Sequence, residues 1–264
     1  MTLTTEFTPP VTTSQQPSVR VDDVSKFFGR GEQGVLALDR ISLQARPGEF
    51  VCLVGASGCG KSTLLNLVAD LDRPSTGTVS TDGRVTLLFQ ESALFPWLTV
   101  EGNINLALKL RGVPRRERPA QTAELLRSVR LDEFGKRLPH ELSGGMRQRV
   151  AIARAFAQDV EILLMDEPFG ALDAMTRDLL HDELERLWQT RSLTVVFVTH
   201  NVREAVRLGD RVVLLSSRPG RVVEEFEVDI ARPRRIDSTE VTTLAAHITD
   251  RLREEVRRHA VQAH

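Results

Sequence analysis

No run in this 264-residue chain approaches the ~20 consecutive apolar residues that a bilayer-crossing helix needs. Apolar stretches such as residues 195–198 and 212–215 have only the length of strands. A basic segment leading into an apolar one is missing from the start of the sequence, which argues against a secretory leader. The expectation is a soluble protein, for which any membrane role would come through a partner. Cysteine is scarce. Cys52 and Cys59 lie in or beside a glycine-rich loop, without metal-ligand spacing, and read as reduced cytosolic thiols. Charge of one sign is lacking too: 35 basic and 36 acidic side chains leave a formal net charge of −1, so no global field points to nucleic acid.

What is present suffices for a sizeable core, since 41% of the residues are hydrophobic. Residues 1–18 are rich in threonine and proline and read as a disordered tail. Strands are expected at 19–28 and 36–45, joined by a turn through Gly29, Gly31 and Gly34. From residue 50 onward, apolar β-branched runs (50–54, 85–89, 162–165, 194–198, 212–215) alternate with helical stretches. Such runs belong in a parallel sheet covered on both faces, so the fold class is α/β, doubly wound, with an antiparallel β edge at the N-terminus. Residues of about 91–157 hold helical segments near 105–110 and 120–130 and read as a helical insertion. The main domain is expected over 19–230. A C-terminal helical extension follows over 231–264, with an amphipathic helix at 237–258 capped by Asp237.

Three motifs carry chemistry. Gly55-Ala56-Ser57-Gly58-Cys59-Gly60-Lys61-Ser62-Thr63 follows a strand and opens a helix, the context a phosphate-binding loop requires. Its glycines let successive N–H groups turn inward, and the helix dipole adds to that nest. Lys61 supplies a charge to the β- and γ-phosphates and Ser62 a hydroxyl for Mg²⁺. Asp166 and Glu167 end an apolar run just before Pro168. The first is suited to hold Mg²⁺ and the second to polarise an attacking water. Leu142-Ser143-Gly144-Gly145 opens a third helix with a good N-cap but two glycines, each costing roughly 1 kcal/mol against alanine. Bare backbone N–H groups close to a large anion explain keeping them.

In order and spacing, these motifs together with Ala171-Leu172-Asp173 and Val198-Thr199-His200 resemble the ATP-binding-cassette ATPases over about residues 19–225. The resemblance implies a P-loop NTPase core of mostly parallel sheet with an N-terminal antiparallel β subdomain and the helical insertion. It implies ATP and Mg²⁺ as cofactors, and a head-to-tail dimer in which Ser143, Gly144, Gly145 and Met146 act in trans on ATP held by the second copy. By position, Gln90 matches the glutamine that senses Mg²⁺ and water, His200 the switch histidine, and Asp173 the loop crossing the dimer interface. Phe28 matches the aromatic that stacks on adenine; Phe27 is adjacent, and the chain has no tyrosine to compare. Met146 stands where the family commonly has glutamine, and Asp70 where glycine is common.

The stretch from Gln90 through Phe95-Pro96-Trp97-Leu98, the segment Phe169 to Arg177, and Ala231-Arg232-Pro233-Arg234-Arg235 resemble ATPases of nitrate, sulfonate and taurine uptake. That implies a subunit at the cytoplasmic face of the cell membrane, docked on two permease subunits and served indirectly by a solute-binding protein. Phe95 to Leu98 serve either as an exposed anchor for the permease or as packing for the helical insertion; the sequence leaves both open. An exporter ATPase or a non-transport cassette remains the alternative. Lys61 and Ser143 are 82 positions apart, too close for an intervening coiled coil.

Overall fold

The computed structural model describes residues 16–29, 34–170 and 172–262. Most of the expected tail, Gly31 and Ala171 lie outside the described residues. Ser18 is already buried, and its carbonyl accepts the N–H of Asp82.

Among the described residues, strand β1 (Val19–Phe28) pairs antiparallel with β2 (Val35–Ala45) on one side and β4 (Thr76–Thr81) on the other. The second sheet has the order β5-β6-β7-β3-β8-β9, from β3 (Phe50–Gly55), β5 (Val85–Leu88), β6 (Ile162–Asp166), β7 (Thr194–Val198), β8 (Arg211–Leu215) and β9 (Val222–Glu227). All neighbours in it are parallel except β8 and β9. Strand β3 shows why its sequence is an unbroken apolar run. Phe50, Cys52 and Val54 join the core on one face, while Val51 and Leu53 join the core on the other. Burying each such side chain stabilises by about 1.5–3 kcal/mol.

Helix α1 (Lys61–Val68) leaves the end of β3 through a left-handed turn at Gly60, φ 99°. A Cβ there would stand 2.5 Å from Leu38 Cδ2, so the loop needs glycine on both counts. Asp70 ends the turn after α1 at φ 55°, a conformation aspartate tolerates. The helical insertion is α2 (Val100–Leu110), α3 (Arg118–Ser128) and α4 (Gly144–Ala157). Helix α2 starts five residues before the expected 105, because the Thr99 side chain accepts the Gly102 N–H at 3.1 Å and caps it.

Helix α5 (Ala174–Arg191) follows β6, and α6 (Val202–Leu208) follows β7. The last helix, α7 (Thr239–Gln262), buries Val241, Ala245 and Ile248 in the main core. The expected cap Asp237 does not cap it. Asp237 pairs instead with Arg235 at 3.0 Å, and Ser238 Oγ accepts the Val241 N–H at 3.4 Å. The arginines of the 231–235 segment are tied inward. Arg234 donates to the carbonyls of Val206, Val228 and Ile230, and Arg232 stacks 4.4 Å from the Trp188 ring centroid while pairing with Glu185. No described helix is long and apolar enough to cross a membrane.

Candidate active site

The loop after β3 lines a cavity of about 450 Å³ with Phe28, Ser57, Gly58, Gly60, Lys61, Ser62, Thr63, Glu167 and Arg218. Phe28 contributes to the wall, whereas its neighbour Phe27 does not. The Lys61 side chain is buried, and its ammonium donates to the carbonyls of Gly55 and Ala56, both at 2.9 Å. Cys59 Sγ lies 3.7 Å from the same nitrogen, and both cysteines are free and buried. Burial pushes the Cys52 thiol well above its ordinary range.

Asp166 ends β6 beside this loop, near the Ser62 hydroxyl. Burial raises its carboxyl pKa; the Ser62 hydroxyl and the Lys61 charge oppose the shift, and the Glu167 charge adds to it. Ser62 and Asp166 bring together two hard oxygen donors, the ligand type Mg²⁺ takes while keeping several waters. Glu167 adopts φ 45°, a left-handed conformation that costs a non-glycine residue of order 1–3 kcal/mol. The turn is held by the Glu167 N–H donating to Val198 O at 3.0 Å and by the Gly170 N–H donating to Glu167 O at 3.2 Å. This conformation directs the carboxylate along the sheet edge, where Oε2 lies 2.9 Å from His200 Nδ1. Behind His200 is a buried network absent from the sequence reasoning. Glu204 meets His181 Nε2 at 2.7 Å through one oxygen and accepts the Thr199 hydroxyl through the other, while Thr199 Oγ1 accepts the Asn201 N–H at 3.0 Å. Its sequence signal was faint, because His181 comes from α5, Glu204 from α6 and Thr199 from the connection after β7.

The remaining expected residues lie elsewhere. Gln90 does not line the phosphate cavity; it lines an adjoining cleft of about 510 Å³ with Gly144, Arg147, Gln148, Pro168 and Leu172. Ser143 Oγ accepts the Met146 N–H at 3.2 Å and caps α4, as its residue type implies. None of Ser143, Gly144, Gly145 or Met146 lines the phosphate cavity. A Cβ on Gly145 would stand 3.2 Å from Leu172 and 3.3 Å from Thr176, so close packing on α5 is a second reason for this glycine. Asp173 Oδ1 accepts the Thr176 N–H at 2.9 Å and caps α5, a bond that also lowers its carboxyl pKa. Arg218, Val35 and Ala37 line the cavity without having been singled out by any motif.

Residues 38–170 match the ABC transporter family model. The chain belongs to that family. A taurine import ATP-binding protein from Rhizobium johnstonii is 49% identical over 81% of this chain and 85% of that one. A nitrate import ATP-binding protein from Synechocystis is 46% identical over 80% of this chain and 83% of that one. The solved dimeric post-hydrolysis state of an ATP-binding cassette bound to ADP and phosphate superposes with TM-score 0.74 at 34% identity, covering 81% of this chain and all of that one. The cassette is thus an ATPase of the transporter type.

Proposed function

We propose that this cassette is the ATP-hydrolysing subunit of a bacterial importer for a small anionic or zwitterionic solute, taurine or another aliphatic sulfonate, or nitrate. Two copies pair head to tail, each placing Ser143, Gly144 and Gly145 against the γ-phosphate bound by the other. The Gly144 and Gly145 N–H groups, which the Ser143 cap on Met146 leaves free, and the positive end of α4 then meet the charge that one chain's cavity leaves on its open side. Lys61 turns from its carbonyl partners to the β- and γ-phosphates. Ser62 and Asp166 would hold Mg²⁺, which when bound would supply neutralising charge to the phosphate chain. Glu167 accepts the proton of the attacking water, and His200 orients its carboxylate through the 2.9 Å contact. Gln90, Met146 and Asp173 complete the site from the interface as the two copies close, and Phe28 stacks on the adenine.

The observation that carries the transport reading is Trp97. It is 72% exposed and packs against Phe95 with ring centroids 5.6 Å apart and planes tilted by 46°, and Phe95 lines a mainly apolar cavity of about 600 Å³ between α2, Phe89 and Arg154. An exposed aromatic at the rim of an apolar groove fits a docked helix of a permease subunit better than it fits internal packing. This docking places the cassette at the cytoplasmic face of the membrane. The import direction and the solute class are supported by the taurine and nitrate import relatives.

Growth of a deletion strain on taurine, an alkyl sulfonate or nitrate as the single sulfur or nitrogen source tests the reading. Growth is expected to fail on one source and to return with the wild-type gene but not with Glu167→Gln. Normal growth on all three would overturn the sulfonate–nitrate assignment.

A further inference from the structure

The turn between β8 and β9, residues 216–221, is fastened to β2 and packs against the phosphate loop. The Gly220 N–H donates to Ala37 O and the Asp39 N–H to Gly220 O, both at 2.9 Å, joining the turn to β2. A Cβ on Gly220 would stand 2.2 Å from Cys59 O, so the turn presses directly on the loop's backbone. Inside the turn, Ser216 Oγ donates to Pro219 O at 2.8 Å and accepts the Arg221 N–H at 2.9 Å. The Arg221 guanidinium is committed to Asp39, with Nε to Oδ2 at 2.8 Å.

Arg218 projects from this anchored turn. It lines the same cavity as Lys61, Ser62 and Glu167, and its guanidinium is 3.8 Å from where a Cβ of Gly58 would lie. Among the described residues it makes no hydrogen bond and no ion pair, in contrast to Arg221 three positions on. A structural arginine spends its donors on carbonyls or carboxylates, as Arg234 does. Arg218 instead adds a second cation to a cavity that already holds Lys61. A polyanion relieves the repulsion between those two cations, and a planar fork of donors matches phosphate oxygens. We infer that Arg218 is a second cationic ligand for the phosphate chain of the bound nucleotide, delivered by the β8–β9 turn. It rests on nucleotide binding at the Lys61 loop and goes beyond the motifs that define that loop.

The test is calorimetric titration of ADP and of ATP into the full chain, wild type against Arg218→Ala and Arg218→Lys, over a range of salt concentrations. Arg218 is exposed, so all three proteins should melt together. Arg218→Ala is expected to raise the Kd for both nucleotides roughly tenfold and to flatten its dependence on salt, because one charge contact is gone. Arg218→Lys should fall between the two, keeping the charge without the fork. Wild-type affinity in Arg218→Ala at every salt concentration would overturn the inference, as would a loss that is identical at low and high salt. If the wild-type chain binds neither nucleotide, the fault lies with the loop assignment and not with Arg218.

Discussion

His200 Nδ1 lies 2.9 Å from Oε2 of Glu167, although the two residues leave the ends of different strands. The contact exists because β6 and β7 are parallel neighbours, with Asp166 opposite Val198, so their C-terminal ends open at the same edge. The strained turn at Glu167 completes it. His200→Ala should therefore leave ATP binding near wild type and lower the rate of phosphate release by at least ~100-fold, the scale of a lost acid–base or orienting group. Since His200 is largely exposed, its melting temperature should not move.

Gly145→Ala separates two reasons for a glycine. Alanine gains about 1 kcal/mol of helix propensity, while the new methyl crowds Leu172 and Thr176 at 3.2 and 3.3 Å. These terms oppose each other, so melting should change by no more than about 3 °C. Hydrolysis should fall at least tenfold, because the first turn of α4 is displaced from α5 and from the partner's phosphates. A proportional loss of stability and activity would mean that the glycine serves packing alone.

Asp39→Asn should destabilise the cassette only above acid pH. The hydrogen bond from Arg221 holds the Asp39 carboxyl below the ordinary value of 3.8. A carboxyl depressed in the folded state stabilises at every pH above its unfolded value, and that contribution disappears as pH falls through the folded one. The gap in melting temperature between Asp39→Asn and wild type should be constant from about pH 7 to 5 and should narrow progressively as pH falls below about 4. A gap that does not narrow in acid would show that the ion pair is not its origin.

Trp97→Ala should melt with the wild type, because the ring is mostly solvent-exposed. Co-purification with the membrane subunits should drop sharply. Undiminished association would move the docking surface away from the Phe95–Trp97 rim.

The chain's pattern shows the fold wherever burial is two-sided or a motif is contiguous. Strands β3, β6, β7 and β8 read as unbroken apolar runs because both of their faces meet a core. Strands β4 and β9 are not marked: Thr76–Thr81 is an exposed polar edge, and Val222–Glu227 carries three glutamates. The phosphate loop and the acidic strand end were legible because each lies within a few consecutive residues. Arg218 and the His181–Glu204–Thr199 network were not, because only strand pairing and helix packing bring their members together. Gln90 was legible by position alone, and it lies in a neighbouring cleft and not on the phosphate cavity's wall. Asp237 was overruled as a cap by a closer arginine, a competition that no local propensity reveals.

In the proposed mechanism two copies share the catalytic site, with Glu167 as the base. Light scattering on size-exclusion chromatography of Glu167→Gln, with and without ATP, reads this out. A monomer alone, a dimer with ATP and phosphate release at least ~100-fold slower than wild type are expected. A Glu167→Gln protein that stays monomeric with saturating ATP, or that hydrolyses it at the wild-type rate, would contradict it.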